Sequence, residues 1–259
     1  MKKRTAFIAG ILSLIPFGQP LIIKTGVVLS TSGLMLSIPE NVFAKNSKYY
    51  FKSAYKKAEK GDHYGAISDY TKAIELNPND ASSYYNRGFS KNALRDYYGA
   101  ISDYTKAIDI NPKYADAYHN RGVAKELLKD YKGALKDYEK ALSIDPDDYL
   151  TWQGVGVTKK KLGDYDGAIT SYNKSIEINP RNEYAYNNRG NAKSEIKDYY
   201  GAISDYTKAI ELNPNDASTY YNRGISKELI GDIKGACSDW EKASSLGDKD
   251  AAEYVRDQC

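Results

Sequence analysis

The sequence predicts an all-α solenoid built from six helical hairpins and closed by a short C-terminal capping helix. Three observations predict it. The nineteen residues YGAISDYTKAIELNPNDAS at 64–82 recur unchanged at 200–218, and a third copy, YGAISDYTKAIDINP, begins at Tyr98. The offsets of 34 and 136 residues are one and four multiples of a single period, and a fixed period in this range marks a repeat architecture. Within each period, apolar and small residues recur at helical spacing in two runs parted by a short polar turn.

A 34-residue frame divides the chain into units 47–80, 81–114, 115–148, 149–182, 183–216 and 217–250, with 251–259 as a C-terminal cap and 1–44 as a separate leader. Neither end is long enough for a second folded domain of ordinary size. In the second unit the first helix reads SSYYNRGFSKNAL and the second YYGAISDYTKAI. Gly88, inside the first of these, costs roughly 1 kcal/mol relative to alanine, so it predicts a close approach by the neighbouring helix. Ala100 and Ala107 are small for the same contact. Asp62, Asp96, Asp130, Asp164, Asp198 and Asp232 precede the second helices as caps for their free amides. Pro78, Pro112, Pro146, Pro180 and Pro214 stop those helices. Asp80, Asp148, Asn182 and Asp216 then stand ready to cap the next first helix. One hairpin cannot bury both of its faces, so the copies must stack.

The frame Tyr/Trp-x2-Arg-Gly, followed by Asp-Tyr, Ala-x3-Tyr, Ala and Pro at matched spacing, resembles the tetratricopeptide repeat. The likeness covers 47–250. Arg87, Arg121, Arg189 and Arg223 stand where the family usually has leucine, lysine from Lys57 to Lys227 replaces the next aromatic, and the last unit ends at Leu246-Gly247 instead of proline. The resemblance implies a right-handed superhelix whose first helices line a concave groove at unit positions 2, 5, 9, 12 and 13. It also implies a non-catalytic adaptor or scaffold that binds a peptide or helix of a partner protein.

Two of these departures vary together. Units two, three, five and six carry Arg with Asp sixteen residues later, at Asp103, Asp137, Asp205 and Asp239. Unit four has neither, with Val155 and Ser171, and unit one sets Ser53 against Asp69. The pattern predicts an ion pair between the helices of a unit, partly exposed and worth ~0–1 kcal/mol.

Groove-facing positions supply the candidate binding residues. Phe51, Tyr55, Tyr85 and Phe89 make the N-terminal end aromatic, whereas His119 and Asn191 are polar. Aromatic side chains with few rotamers suit peptide anchoring, and they also suit packing between units. Asn86, Asn120, Asn188 and Asn222 recur before the Arg-Gly pair, where their amides can bond an extended backbone. The first helices of units two and six differ non-conservatively at Phe89/Ile225, Asn92/Glu228 and Ala93/Leu229, all groove positions. Some family members clamp a terminal carboxylate with lysines, but Asn187 and Ala252 occupy those places, so that clamp is not expected.

Catalytic, metal and cofactor chemistry is not expected. His63 and His119 are the only histidines and lack the neighbours that metal ligation needs. The recurring carboxylates read as caps and exposed faces, not as a converging acid–base pair. Cys237 and Cys259 both lie in the terminal unit and can form a disulfide in an oxidising compartment, with two separate packed thiols as the alternative.

The leader has a basic start, nineteen uncharged residues from Thr5 to Ile23, and a small-residue site at Val42-Phe43-Ala44. It resembles a cleaved export signal, or an anchor attached to a membrane through residues 5–38. Either way the repeats are expected on the exported side, in periplasm, lumen or extracellular space. Lys2, Lys3, Arg4, Lys24 and Glu40 account for the whole net charge of +3, leaving 33 basic and 33 acidic side chains elsewhere. No basic surface is concentrated for phosphate, so nucleic acid is not an expected partner. A homo-oligomer, formed by solenoids stacking through their terminal repeats, is the alternative to an adaptor.

Overall fold

A computed structural model describes residues 27–29, 35–37 and 46–259. It divides into two compact units, 1–45 and 46–259. In the first, strands β1 (Val27–Leu29) and β2 (Met35–Ser37) pair antiparallel, with Val28 opposite Leu36. The sequence reading assigned no strand there. The apolar run at 5–23 and the Val42-Phe43-Ala44 site lie outside the described residues.

The second unit contains thirteen helices among the described residues, two for each repeat and one more. They are α1 (Ser47–Glu59), α2 (His63–Leu76), α3 (Ala81–Ala93), α4 (Tyr97–Ile110), α5 (Ala115–Leu127), α6 (Tyr131–Ile144) and α7 (Tyr149–Lys161). Then follow α8 (Tyr165–Ile178), α9 (Glu183–Glu195), α10 (Tyr199–Leu212), α11 (Ala217–Leu229), α12 (Ile233–Ser245) and α13 (Lys249–Gln258). Odd-numbered helices from α1 to α11 are the first helices of units one to six.

The caps explain why the helices begin where they do. Asp96 accepts the backbone N–H of Gly99 at 2.9 Å, and the other five second helices repeat this bond. A side chain at Gly99 would collide with the Asp96 carboxylate, so the cap and the glycine three residues later are one device. Asn46, Asp80, Asp148, Asn182 and Asp216 cap first helices, while α5 begins at Tyr114 without a side-chain cap. The turn inside each hairpin needs one left-handed residue. Units one, four and six supply Gly61, Gly163 and Gly231 there; units two, three and five use Arg95, Lys129 and Lys197, at a cost of roughly 1 kcal/mol each.

The core is a column of aromatic rings standing on small residues. Tyr70, Tyr104, Tyr138, Tyr172, Tyr206 and Trp240, one from each second helix, are fully buried. A Cβ on Gly88 would lie 2.9 Å from the Tyr104 ring, and one on Gly122 2.8 Å from the Tyr138 ring. The predicted close approach at Gly88 is therefore made by a ring lying on the helix backbone. Unit one seats Tyr70 on Ala54 instead, with Phe51 edge-on at 5.6 Å.

Polar side chains pin these layers. Arg121 donates through Nε and Nη2 to both oxygens of Asp137, at 2.9 and 2.7 Å, and through Nη1 to Thr105 of the preceding unit at 3.0 Å. Lys125 reaches the same carboxylate at 2.7 Å. Units two, five and six repeat the arrangement, with Asn173 replacing the threonine before Arg189. The expected pair is thus a buried cluster: the Asp137 side chain is 6% exposed and Arg121 16%, well short of the part-exposed bridge the sequence suggested. The lysine that replaces the family aromatic has the same carboxylate as its partner. Unit one adapts with Ser53 and Lys57 on Asp69, at 2.7 and 2.6 Å. In unit four Val155 is buried and Ser171 donates to the Gly167 carbonyl, so neither arginine nor aspartate is required there.

At the C-terminus, Asp248 caps α13, and Tyr254 lies 4.6 Å from Trp240 and 5.7 Å from Tyr221. Cys237 and Cys259 are bonded, tying the end of α13 to α12.

Candidate functional site

Several recesses open along the first helices, one of them lined by Phe51, and two hold most of the candidate residues. The N-terminal cleft, about 280 Å³, is lined by Tyr55, Ala58 and Glu59 of α1, Tyr70 of α2, and Tyr85, Asn86 and Phe89 of α3. The C-terminal cleft, about 630 Å³, is lined by Asn191, Ser194 and Glu195 of α9, Tyr206 of α10, and Tyr221, Asn222 and Ile225 of α11. Each of these seven residues stands 136 positions, four units, after its N-terminal counterpart. The two clefts are therefore the same place in the repeat. Lys160, Lys161 and Tyr165 of unit four and Tyr254 of α13 extend the second one.

Six of the ten groove candidates line these clefts: Tyr55, Tyr85, Asn86 and Phe89 in one, Asn191 and Asn222 in the other. Tyr55 and Phe89 are about half exposed, at 48% and 49%. Tyr85 also packs between units, 5.8 Å from Tyr104 and 4.9 Å from Tyr114, and its hydroxyl accepts from Asn120 at 2.8 Å. Phe51 packs into the core of unit one.

Most of the asparagines already have partners. Asn86 donates to the Ser82 carbonyl of its own helix at 2.8 Å, and Asn222 donates to Asn191 at 3.3 Å. Asn191 also accepts from the Tyr206 hydroxyl at 2.8 Å, and Asn188 accepts from Lys160 at 3.4 Å. Asn222 with Asn191, and Asn188 with Lys160, tie adjacent first helices together, a role that spacing alone could not reveal.

His119 joins units three and four. Its Nδ1 lies 2.6 Å from the Thr151 hydroxyl, which itself donates to Asp148. Burial pushes the His119 imidazole below its ordinary value of 6.5, with Asp148 and Asp116 pulling the other way. The folded state therefore binds this proton less readily than the unfolded chain. Its stability contribution is present above pH 6.5 and is lost as the pH falls below that value. We expect thermal unfolding to show a larger drop from pH 7.5 to 5 in the native chain than in His119→Gln; equal drops would remove His119 from the acid response.

The sequence reading missed Glu59, Tyr70 and Lys160. Glu59 and Lys160 occupy positions 13 and 12, which the family resemblance already placed in the groove, and aligning the two clefts singles them out.

A solenoid of six helical hairpins with recesses between successive first helices defines a helical-repeat interaction protein. Models of the tetratricopeptide repeat match residues 115–148 and 183–216, with another at 205–238, and a TPR repeat model matches 54–94, 91–129 and 156–197. The chain belongs to the tetratricopeptide repeat family and is, in general terms, an adaptor for protein interaction. No curated protein sequence matches it. Among solved structures it is similar to YrrB, described as a TPR protein with an unusual peptide-binding site. The two share 24% identity with a TM-score of 0.61, over 72% of this chain and 97% of that one. It is similar to MamA at 25% identity and a TM-score of 0.59, over 66% and 94% of the two chains. It also resembles Pseudomonas aeruginosa pilF at 16% identity and a TM-score of 0.71, over 81% and 96%.

Proposed function

We propose that this chain is a non-catalytic adaptor that holds a peptide or helix of a partner protein across its first helices. One observation carries the reading: the same seven unit positions form a cleft at both ends of the array, and three of them, Tyr55/Asn191, Ala58/Ser194 and Phe89/Ile225, differ between the two. The copied second helices, by contrast, each bury one aromatic ring in the core, from Tyr70 to Trp240. Variation at a recess on a constant scaffold is how a repeat protein acquires specificity.

The alternative, stacking of solenoids through the last repeat, is disfavoured because Tyr254 and Val255 of α13 already cover Trp240. We also propose that the repeats work in an oxidising, exported compartment, a reading supported by the bond between Cys237 and Cys259.

A photo-cross-linking residue in place of Phe89 or Ile225 should capture the partner. The same residue in place of Tyr98 or Tyr200, about three-quarters exposed on second helices, should not. Capture confined to the second-helix positions would overturn the groove reading.

A further inference from the structure

We propose that the cleft between units one and two is a receptor for a cationic side chain, arginine or lysine, presented by a partner polypeptide. The proposal rests on the groove reading and adds the chemistry of what is read there.

Among the described residues, the cleft collects oxygens and rings but no cation. Glu59 makes no ion pair among the described residues, although its unit-mates at the salt-bridge positions are paired. Tyr70 is 1% exposed, and its hydroxyl is buried with no hydrogen-bond partner among the described residues. Tyr55, Glu59 and Tyr70 line one cleft, and burial, then the Tyr55 hydroxyl and the Glu59 carboxylate, push the Tyr70 phenol up. Tyr85 and Phe89 close the opposite side with aromatic faces. A guanidinium or ammonium between these walls can donate to the oxygens and lie over a ring. At about 280 Å³ the cleft falls just below the range typical of whole small-molecule sites, and so suits a single side chain.

The second cleft supplies an internal comparison. Glu195 holds the place of Glu59, and there the preceding unit contributes Lys160. Burial and Lys161 disfavour the Lys160 charge, whereas Glu195 favours it. The buried hydroxyl is satisfied as well, because Asn191, in the place of Tyr55, accepts from Tyr206 at 2.8 Å. Among the described residues, nothing lines the first cleft in the place that Lys160 takes in the second. What units four and five provide for themselves, the first cleft takes from a ligand.

The test uses the full-length protein and Nα-acetyl-arginine amide, followed by backbone amide NMR, with the uncharged citrulline amide as control. Arginine amide should shift resonances around Glu59, Tyr70 and Phe89 and saturate. Citrulline amide should bind at least roughly tenfold more weakly, the scale of one charge-assisted hydrogen bond. Glu59→Gln should reduce arginine to the citrulline level, while Glu195→Gln should leave the arginine titration unchanged. Equal binding of the two probes overturns the proposal but leaves the groove reading standing. Absence of binding in either cleft, together with photo-cross-links only on second helices, defeats both. Shifts at the cleft that grow with protein concentration before any probe is added would seat a second copy there and overturn a separate partner.

Discussion

Replacing Tyr138 by alanine should destabilise the repeat array by about 3–5 kcal/mol, the usual cost of deleting a buried aromatic side chain. The ring is 1% exposed and lies against two first helices at once: a Cβ on Gly122 would be 2.8 Å from it, and one on Gly154 2.9 Å. It also packs 5.6 Å from His119, and its hydroxyl donates to Glu126, which accepts from Thr158 of the next unit as well. On the sides where the ring rests on Gly122 and Gly154 there is no side chain to fill the void. In a solenoid each unit leans only on its neighbours, so a break in unit three separates units one and two from units four to six. The expected result is a lower, broadened or split denaturation curve. Tyr138→Phe keeps the ring and should lose only about 1 kcal/mol, the net worth of one hydrogen bond. Equal losses in the two variants would show that the hydroxyl network, not the ring, holds the junction.

The helices, their caps and the close approach at Gly88 were legible because they recur, but that a tyrosine ring makes that approach was not. Asp96 before YYG, and Gly88 in the middle of a helix, are local rules repeated along the chain. The left-handed turn residues were legible only by comparison: nothing in Leu-Lys-Asp at 128–130 announces a positive φ at Lys129 until Gly61 and Gly163 are aligned with it. The clefts were partly legible. Positions 5 and 9 pointed to Tyr55, Tyr85 and Phe89, but whether a groove side chain is free or already used depends on partners roughly one period away. Asn120 meets Tyr85 across 35 residues, and His119 meets Thr151 across 32. The Arg–Asp pairing was visible as covariation between units. Its burial was not, since the threonine and lysine that enclose it come from other parts of the repeat.

That burial underlies the second large effect. Asp137→Ala should destabilise the chain by about 3–5 kcal/mol, because it leaves the charges of Arg121 and Lys125 largely buried with no carboxylate between them. Surface-bridge arithmetic would put the loss at only about 0–1 kcal/mol, so the measurement separates the two views. Unit four tells what should rescue the defect. It builds the same hairpin with Val155 and Ser171 at these positions, burying the valine and turning the serine hydroxyl onto its own helix. Arg121→Val combined with Asp137→Ser transfers that solution to unit three. Removing both partners avoids the orphaned charge, so the double variant should be more stable than Asp137→Ala alone. Lys125 then loses the Asp137 carboxylate, as in unit four, where Lys159 reaches Asp164 instead at 4.0 Å. Chemical denaturation of the native chain, the single variant and the double variant decides it. A double variant no more stable than Asp137→Ala would mean that the arginine bridge to Thr105 in the preceding unit, not the charge balance within the unit, is the essential contact.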